Sequence, residues 1–401
     1  MEADVTRTVP ASDARAGAYP VRVRAAHAKI CYNIRMTAHS ISRWRLFAAL
    51  ALTAPACAAA VPAPQLCDAF PFKLGVAVSN AQIAGAPERE LALIARHFNS
   101  VTPENALKPQ PLQPEEGVFR FEQADRYVDW AEAHGMKIIG HVLVWHSQLP
   151  QWFTRDANGE LCSRETLLRR METHITTVVG RYKGRIHGWD VVNEAVEGDG
   201  SYRQSDFYKI LGEEFIDAAF RFAHAADPAC ELYYNDYGNE SARKNATIAA
   251  LVRRLKAKGL RIDAVGLQTH VQLKSPAIAT YEDAIRLFID AGVKVAITEL
   301  DVSALPNAWE LSADISKNYA YDARLNPWPD GLPAEVEAEL AARYADWFAL
   351  FRKYAAHVDR VTLWGLSDRD SWLNNFPVRG RTDYPLFFDR ALNLKPWAAR
   401  L

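Results

Sequence analysis

The sequence predicts an α/β fold, a single (β/α)8 TIM barrel. Eight short runs are apolar along their whole length, which is typical of parallel strands buried on both faces. Segments with a helical period lie between these runs, as the βα units of a barrel require. The predicted strands are 72–78 (FKLGVAV), 98–102 (FNSVT), 137–144 (KIIGHVLV), 187–193 (HGWDVVN), 231–235 (ELYYN), 262–268 (IDAVGLQ), 294–298 (KVAIT) and 360–365 (RVTLWG).

Three segments between the runs carry the helical period most clearly. In 165–183, apolar residues recur every three or four positions and a glycine follows as a stop. The segment 245–258 repeats this pattern and ends in a basic turn before another glycine. Thr280 and Asp283 resemble a capping box that opens a helix reaching Ile289. The alternation of strands and helices is therefore regular over the body of the chain.

A doubly wound open sheet is the structural alternative, because it also alternates strands with helices. That fold leads us to expect a glycine-rich phosphate loop after the first strand. The segment that follows the first predicted strand, VSNAQIAGA, is not such a loop. No linker rich in serine and glycine, repeat or low-complexity segment interrupts the pattern. The sequence therefore favours the barrel.

The N-terminal region is predicted to be a targeting segment. Residues 36–60 begin at an internal Met36 and contain two arginines, then the short apolar run 46–54, then small residues. This order is typical of a secretory signal peptide, and the apolar run is shorter than the roughly 20 residues that a membrane span needs. We interpret residues 1–35 as an extension from a start codon placed too early, and 61–401 as the catalytic domain.

Cleavage is expected near Ala58 to Ala60, which predicts a secreted or periplasmic protein. A lipid anchor at Cys57 is a weaker alternative, since the usual apolar residues do not precede it. Cys67, Cys162 and Cys230 then remain, without a short CxxC spacing. We expect three buried thiols, with a single disulfide bond as the alternative. We expect no metal ion at these residues.

Composition excludes one class of partner. The chain of 401 residues has a formal net charge of −1, and its basic residues are mixed with acidic ones. Such a balance argues against a nucleic-acid surface. We therefore predict no nucleic-acid partner. We also predict no membrane span and no cofactor, and we expect a monomer.

Polar and aromatic residues collect where the predicted strands end. In a barrel these ends form one rim, where active sites lie. Taken singly, each residue has an ordinary explanation as a core histidine, a helix cap or a salt-bridge partner. Independent caps would not bring amides, indoles and carboxylates to one rim, so the set predicts a functional site. Its members are Glu104, Asn105, Lys108, His141, Trp145, His146, Gln148, Asn193, Glu194, Tyr234, Asn235, Asp236, Gln268, His270, Glu299, Asp301, Trp364, Asp368 and Trp372.

Two of these residues, Glu194 and Glu299, suit glycoside hydrolysis. That reaction passes through an oxocarbenium-like transition state and needs one protonated and one ionised carboxyl group beside the sugar carbon. Asn193 can hydrogen-bond a sugar 2-hydroxyl, and Trp364 and Trp372 offer apolar faces to sugar rings. Because strict alternation would point Asn193 and Glu194 to opposite sides, we expect a bulge or a strand end there.

These segments resemble the glycoside hydrolase family ten endo-β-1,4-xylanases. The resemblance covers nearly the whole chain after the predicted signal peptide, with the motifs in order, and implies xylan or a xylo-oligosaccharide as the substrate. The motifs are VTPENALK (101–108), GHVLVWHSQLPQWF (140–153), WDVVNEA (189–195), YYNDYG (233–238), GLQTHV (266–271), ITELD (297–301) and LWGLSDRDSW (363–372).

The resemblance implies a retaining mechanism in which Glu194 is the acid/base and Glu299 the nucleophile. Retention requires carboxyl carbons about 5–5.5 Å apart. Glu194 must hold its proton for the first step, and can release it once the charge of Glu299 is lost in the glycosyl-enzyme.

The resemblance also assigns supporting residues. His270 and Asp301 are implied to orient and charge-tune the nucleophile. Asn193 and Gln268 are implied to bind near the reacting sugar. The implied glycone subsites comprise Glu104, Asn105, Lys108, His141, Trp145, Gln148, Trp364 and Trp372, and the implied aglycone side comprises Tyr234 and Asn235.

Two other functions remain open. One is a carbohydrate-binding barrel without catalysis, which the presence of both glutamates disfavours. The other is a metal-dependent hydrolase using His141, His146 and His270, which lack a paired ligand spacing. The long segment 304–332 is interpreted as a loop that could shape the aglycone side or be a passive surface excursion.

Overall fold

The computed structural model of the chain describes residues 65–85, 88–307 and 321–401. The predicted extension 1–35 and signal peptide 36–60 lie outside the described residues, as does part of the 304–332 loop. In the described ranges, no helix is long and apolar enough to cross a membrane. The three cysteines expected after cleavage are buried and free.

Parallel strands form the centre of the fold, and each of the eight predicted runs overlaps one. They are β1 (Lys73–Val78), β2 (Ser100–Pro103), β3 (Lys137–Val144), β4 (Gly188–Asn193), β5 (Glu231–Asp236), β6 (Ala264–Leu267), β8 (Lys294–Ser303) and β9 (Val358–Leu363). Of these, β2, β5, β8 and β9 extend beyond the predicted bounds. A short β7 (His270–Gln272) was not predicted.

These strands close into a barrel. Sequential neighbours pair from β1 to β6, then β6 pairs with β8, β8 with β9, and β9 with β1. β7 pairs only with the last part of β8, where His270 lies opposite Asp301. The predicted (β/α)8 barrel is confirmed, and β7 is an extension of its rim.

Helices lie between the strands, as predicted. The bounds are α1 (Asn80–Ile83), α2 (Glu88–His97), α3 (Pro109–Leu112), α4 (Glu122–Ala133), α5 (Arg164–Arg181), α6 (Asp206–Leu211), α7 (Glu214–Ala226), α8 (Ala242–Ala257), α9 (Ile278–Asp290) and α10 (Ala334–Lys353). α5 and α8 match the periodic segments within a few residues. The capping box at Thr280 is wrong, because α9 begins earlier and the Thr280 hydroxyl donates back to the Ala277 carbonyl.

Side chains fill the barrel interior below the rim. Trp189 of β4 is almost fully buried there, and a Cβ on Gly140 of β3 would lie 2.1 Å from its indole. The buried guanidinium of Arg360 lies 4.6 Å from the Tyr233 ring centre and 3.8 Å from Asp190. Because the interior is packed, the polar residues at the strand ends are reached from the C-terminal rim.

Candidate active site

Glu194 lies immediately after β4 with its carboxyl group almost completely buried, at 7% exposure. Its Oε2 accepts a hydrogen bond from the Trp145 indole at 2.8 Å. Its Oε1 accepts hydrogen bonds from the side-chain amides of Asn193 at 3.0 Å and Gln268 at 2.9 Å. Three neutral donors therefore fix both oxygens of this carboxyl group without a cation in direct contact.

The backbone explains how Asn193 and Glu194 both reach the site. β4 ends at Asn193, and a strand end there is one of the two expectations drawn from the sequence. The register of β4 against β5 shifts earlier, between Asp190 and Val192. Glu194 itself has a φ of 59°, in the left-handed region. This change of direction breaks the alternation of the strand, so adjacent side chains hydrogen-bond to each other.

Glu299 lies inside β8 and is 5% exposed. Its Oε1 accepts a hydrogen bond from Asn235 Nδ2 at 2.8 Å, and its Oε2 pairs with His270 Nε2 at 3.1 Å. The Asn235 amide is itself oriented by Thr298, whose hydroxyl donates to it at 2.7 Å. A Cβ on Gly266 would lie 2.3 Å from Asn235 Oδ1, so the glycine leaves room for this amide.

One hydrogen-bond network joins the two glutamates. Asn193 Oδ1 accepts from Asn235 at 3.0 Å and from Gln268 at 3.2 Å. Asn235 also binds Glu299, and Gln268 also binds Glu194. Both carboxyl groups therefore face the same part of the rim, connected through three amides, although they come from β4 and β8.

A histidine between two carboxylates controls the charge of Glu299. His270 Nδ1 bonds Asp301 at 2.9 Å, and its Nε2 bonds Glu299. Burial alone would lower the pKa of His270, but the charge and hydrogen bond of Asp301, together with Glu299, raise it to about 10. Burial would likewise raise the pKa of Glu299, but the hydrogen bond from His270 and the nearby His141 and Asn235 hold it below its ordinary value. Glu299 is therefore held in its ionised form, as a carboxylate nucleophile would require.

This arrangement predicts a pH effect for His270→Gln. Without the histidine charge, the pKa of Glu299 rises, so the acid limb of the kcat/KM profile moves to higher pH. In the wild type, the stability gained from the His270 pairing is fully present below the ordinary histidine pKa of 6.5. It is lost as the pH rises through about 10, and the variant lacks this alkaline loss.

The measurements are pH profiles of kcat/KM and of thermal unfolding. His134→Gln is the matched control, because this exposed histidine lies directly after α4, where its ring bonds the Trp130 carbonyl far from any carboxylate pair of the rim. An unchanged acid limb in His270→Gln would contradict the assigned electrostatics.

The predicted glycone residues after β2 and β3 form a connected cluster. Lys108 is 7% exposed and donates to Gln148 at 2.7 Å and Asn105 at 3.1 Å. Its ammonium group lies 5.0 Å from the Trp145 ring centre. Burial lowers the pKa of Lys108, against the charges of Glu299, Glu104 and Glu194. The cluster therefore borders the two glutamates and offers polar groups to a sugar.

Glu104 has a raised pKa, mainly because of burial. It is the first residue after β2, and Lys108 and Asn105 oppose that rise. The structure thus places Glu104 in the same cluster.

Aromatic rings form the other border of the site. Trp364 follows β9 and meets His141 edge-on, with ring centres 5.5 Å apart. Trp372 lies 4.8 Å from the His270 ring, and its indole donates to Asp301 at 2.8 Å. These contacts connect the predicted sugar platforms with the charge network behind Glu299.

Tyr234, predicted on the aglycone side, has a fully buried side chain, and its place relative to a bound substrate stays a prediction. Its hydroxyl donates to Asp236 at 2.5 Å and accepts the Ala195 backbone N–H at 3.0 Å. Asn235 is also fully buried, and it contacts Glu299 and Asn193 rather than an open surface. Both residues support the catalytic pair from below.

Three contributors were missed by the sequence reasoning. Asp190 bonds His141 at 3.0 Å, because the register of β3 and β4 sets them side by side. Arg203 and Tyr237 bond each other at 2.7 Å beside Glu194, and Arg203 also binds the Glu194 carbonyl. Tyr237 is only partly buried and follows β5 directly, which is the signal that could have identified it.

The segment 304–332 is described in part. Asn326 Oδ1 accepts from the Thr382 backbone at 2.8 Å, and the Tyr384 hydroxyl donates to the Trp328 carbonyl at 2.7 Å. These contacts join residues 321–332 to the loop after β9, which also carries Trp372.

The histidines of the metal hypothesis have other partners. His141 and His270 bond carboxylates, and the His146 ring meets the Trp145 indole edge-on with ring centres 6.0 Å apart. No group of three or more His, Cys, Asp or Glu side chains suited to a metal ion occurs within the described ranges. The donor set at the rim therefore does not fit a resident metal.

Comparisons with known proteins agree with this geometry. A family profile described as Glycosyl hydrolase family 10 matches residues 65–400. Endo-1,4-beta-xylanase A of Xylanibacter ruminicola is 48% identical over 326 residues, covering 81% of this chain and 88% of that protein. Endo-1,4-beta-xylanase of Geobacillus stearothermophilus is 40% identical, covering 83% of this chain and 96% of that protein.

A solved structure has the same fold. A GH10 endoxylanase retrieved from a sugarcane soil metagenome superposes with a TM-score of 0.80 at 44% identity. The match covers 84% of this chain and 98% of that structure.

Proposed function

The chain belongs to glycosyl hydrolase family 10, and we propose that this endo-1,4-β-xylanase cleaves internal xylosidic bonds of xylan by double displacement. In this proposal Glu299 is the nucleophile and Glu194 the acid/base. The observation that carries it is the network of Asn193, Asn235 and Gln268, which joins the two carboxyl groups at one rim.

In the first step, Glu299 attacks the anomeric carbon while Glu194 gives its proton to the departing glycosidic oxygen. The lowered pKa of Glu299 keeps it ionised for this attack. The products are a glycosyl ester on Glu299 and a shortened xylan chain with a free hydroxyl group.

In the second step, Glu194 takes a proton from water as the oxygen of that water attacks the anomeric carbon. The ester bond breaks and Glu299 returns as a carboxylate, so the enzyme is regenerated. The indole and amide donors around Glu194 hold both of its oxygens in place for this proton transfer.

Side chains around the pair suit a chain of pyranose rings. Lys108, Asn105 and Gln148 present hydrogen-bonding groups on one side, and Trp364 and Trp372 present rings on another. A purely binding barrel would have no need for a histidine that keeps a buried carboxylate ionised.

Glucuronoxylan and arabinoxylan assays with and without EDTA separate the three candidate functions. We expect equal release of reducing sugar in both conditions, because no step is assigned to a metal. Xylan binding without release would favour the non-catalytic barrel. Activity lost in EDTA and restored by a divalent cation would favour the metal-dependent hydrolase.

Export is a separate proposal that rests on the sequence alone. The signal-like residues 36–60 support secretion or release into the periplasm after cleavage near Ala58 to Ala60. N-terminal sequencing of exported protein tests it, and an N-terminus upstream of residue 36 would contradict it. The monomeric state stays a prediction.

A further inference from the structure

Every backbone polar group of Glu194 and Ala195 has a fixed partner. The Glu194 N–H donates to the Asn235 carbonyl at 2.9 Å, and the Glu194 carbonyl accepts from Arg203 Nε at 2.9 Å. The Ala195 carbonyl accepts from the Arg203 N–H at 2.8 Å. The Ala195 N–H donates to the Tyr234 hydroxyl at 3.0 Å. We call these four hydrogen bonds the clamp. Its two side-chain partners are Arg203 and Tyr234.

The clamp surrounds a disfavoured conformation. Glu194 has a φ of 59°, which crowds the Cβ of any residue other than glycine. This conformation brings the Glu194 carboxyl group to the same side as Asn193, whose amide bonds it at 3.0 Å. If the chain relaxed to an extended conformation, the carboxyl group would move away from the departing glycosidic oxygen that it has to protonate.

Tyr234 is the better anchored of the two clamping side chains. Its ring is fully buried in β5, and its hydroxyl donates to Asp236 Oδ2 at 2.5 Å. Asp236 Oδ1 pairs with the buried ammonium group of Lys244 at 2.7 Å. Since the hydroxyl hydrogen is directed to a charged acceptor, the oxygen is free to accept from Ala195.

We propose that Tyr234 is a positioning residue for the acid/base, holding Glu194 in its left-handed conformation through the Ala195 amide. This inference rests on the proposed role of Glu194. Arg203 contributes to the same clamp, but it also reaches Tyr237 and Glu197 near the surface. Tyr234 is therefore the cleaner position at which to test the clamp.

The test is Tyr234→Phe, assayed on aryl β-xylobiosides with good and poor leaving groups. The 2,4-dinitrophenyl substrate needs no protonation in the first step, so its kcat/KM should equal that of the wild type. The phenyl substrate needs a correctly placed acid, so its kcat/KM should fall by about tenfold or more. Tyr182→Phe is the matched control, because its buried hydroxyl also bonds a carboxylate, Asp125, away from the rim.

Glu194→Ala, measured in parallel, separates this inference from the proposed function. If Glu194→Ala discriminates steeply between the substrates and Tyr234→Phe does not, the positioning role is overturned alone. An equal fall on both substrates in Tyr234→Phe would show a merely structural role and also overturn it. If Glu194→Ala itself treats both substrates as the wild type does, the proposed function fails and the inference with it.

A second variant keeps the test available if Tyr234→Phe does not fold. Tyr234→Phe combined with Asp236→Asn and Lys244→Met removes the buried hydroxyl and the ion pair together. No buried charge is then left without its partner. Replacing Asp236 or Lys244 alone would leave one buried charge behind, which is costly. The same loss confined to the phenyl substrate is expected, and its absence in a folded protein would overturn the inference.

Discussion

Glu299→Gln is expected to abolish release of xylo-oligosaccharides from xylan. The amide cannot form the glycosyl ester, so kcat should fall by roughly 10⁵-fold. The fold should survive, because the amide has the same shape: its oxygen can accept from Asn235, and its NH2 group can donate to Nε2 of a neutral His270. The measurement is reducing-sugar release together with a thermal unfolding curve.

Glu231→Gln provides the matched control for this variant. Glu231 begins β5 at the opposite end of the barrel, where it pairs with Lys137 at 2.9 Å. The same chemical change there should leave turnover intact. Substantial residual activity in Glu299→Gln would refute the nucleophile assignment.

The second large effect is expected for Glu194→Ala, and it depends on the substrate. Substrates with very good leaving groups should still glycosylate Glu299, because their departure needs no proton. Unactivated xylan should be cleaved about 10² to 10⁴-fold more slowly. Deglycosylation should also slow, since no base remains to activate water.

Added azide should rescue the alanine variant. The anion is a nucleophile that needs no general base, and the truncated side chain leaves space for it near the anomeric carbon. The product should be a β-glycosyl azide, which mass spectrometry and NMR can identify. An α-glycosyl azide, or no acceleration by azide, would contradict the acid/base role.

The fold and the meeting of the two glutamates at one rim could be predicted because they follow from local patterns. Buried parallel strands are apolar throughout, and closing them into a barrel brings their C-terminal ends together. Glu194 and Glu299 follow or end such runs, so the sequence alone placed them at one rim. The unusual pair Asn193 and Glu194 also predicted a bulge or a strand end, and β4 does end at Asn193, with Glu194 in the left-handed region.

The remaining features depend on contacts that local patterns do not encode. Tyr234 and Asn235 were both predicted on the aglycone side, but neighbours in a strand point to opposite faces. Asn235 points into the site, so Tyr234 points away and packs under Ala195. Asp190 becomes a partner of His141 only through the register between β3 and β4.

The position of Arg203 has a similar explanation. It reaches Glu194 because the backbone folds back in a short antiparallel bridge between Val196 and Tyr202. No periodic pattern marks that turn. The short strand β7 was missed for a related reason, since three residues are too few to show a period of two.

The central claim is that two carboxyl groups act in turn on one anomeric carbon. Its most direct test is to follow xylo-oligosaccharide hydrolysis by proton NMR from the first turnovers. Double displacement predicts that the β anomer appears first and that the α anomer follows only by mutarotation. Initial release of the α anomer would mean that water attacks directly, and it would contradict the assignment of Glu299 as the nucleophile.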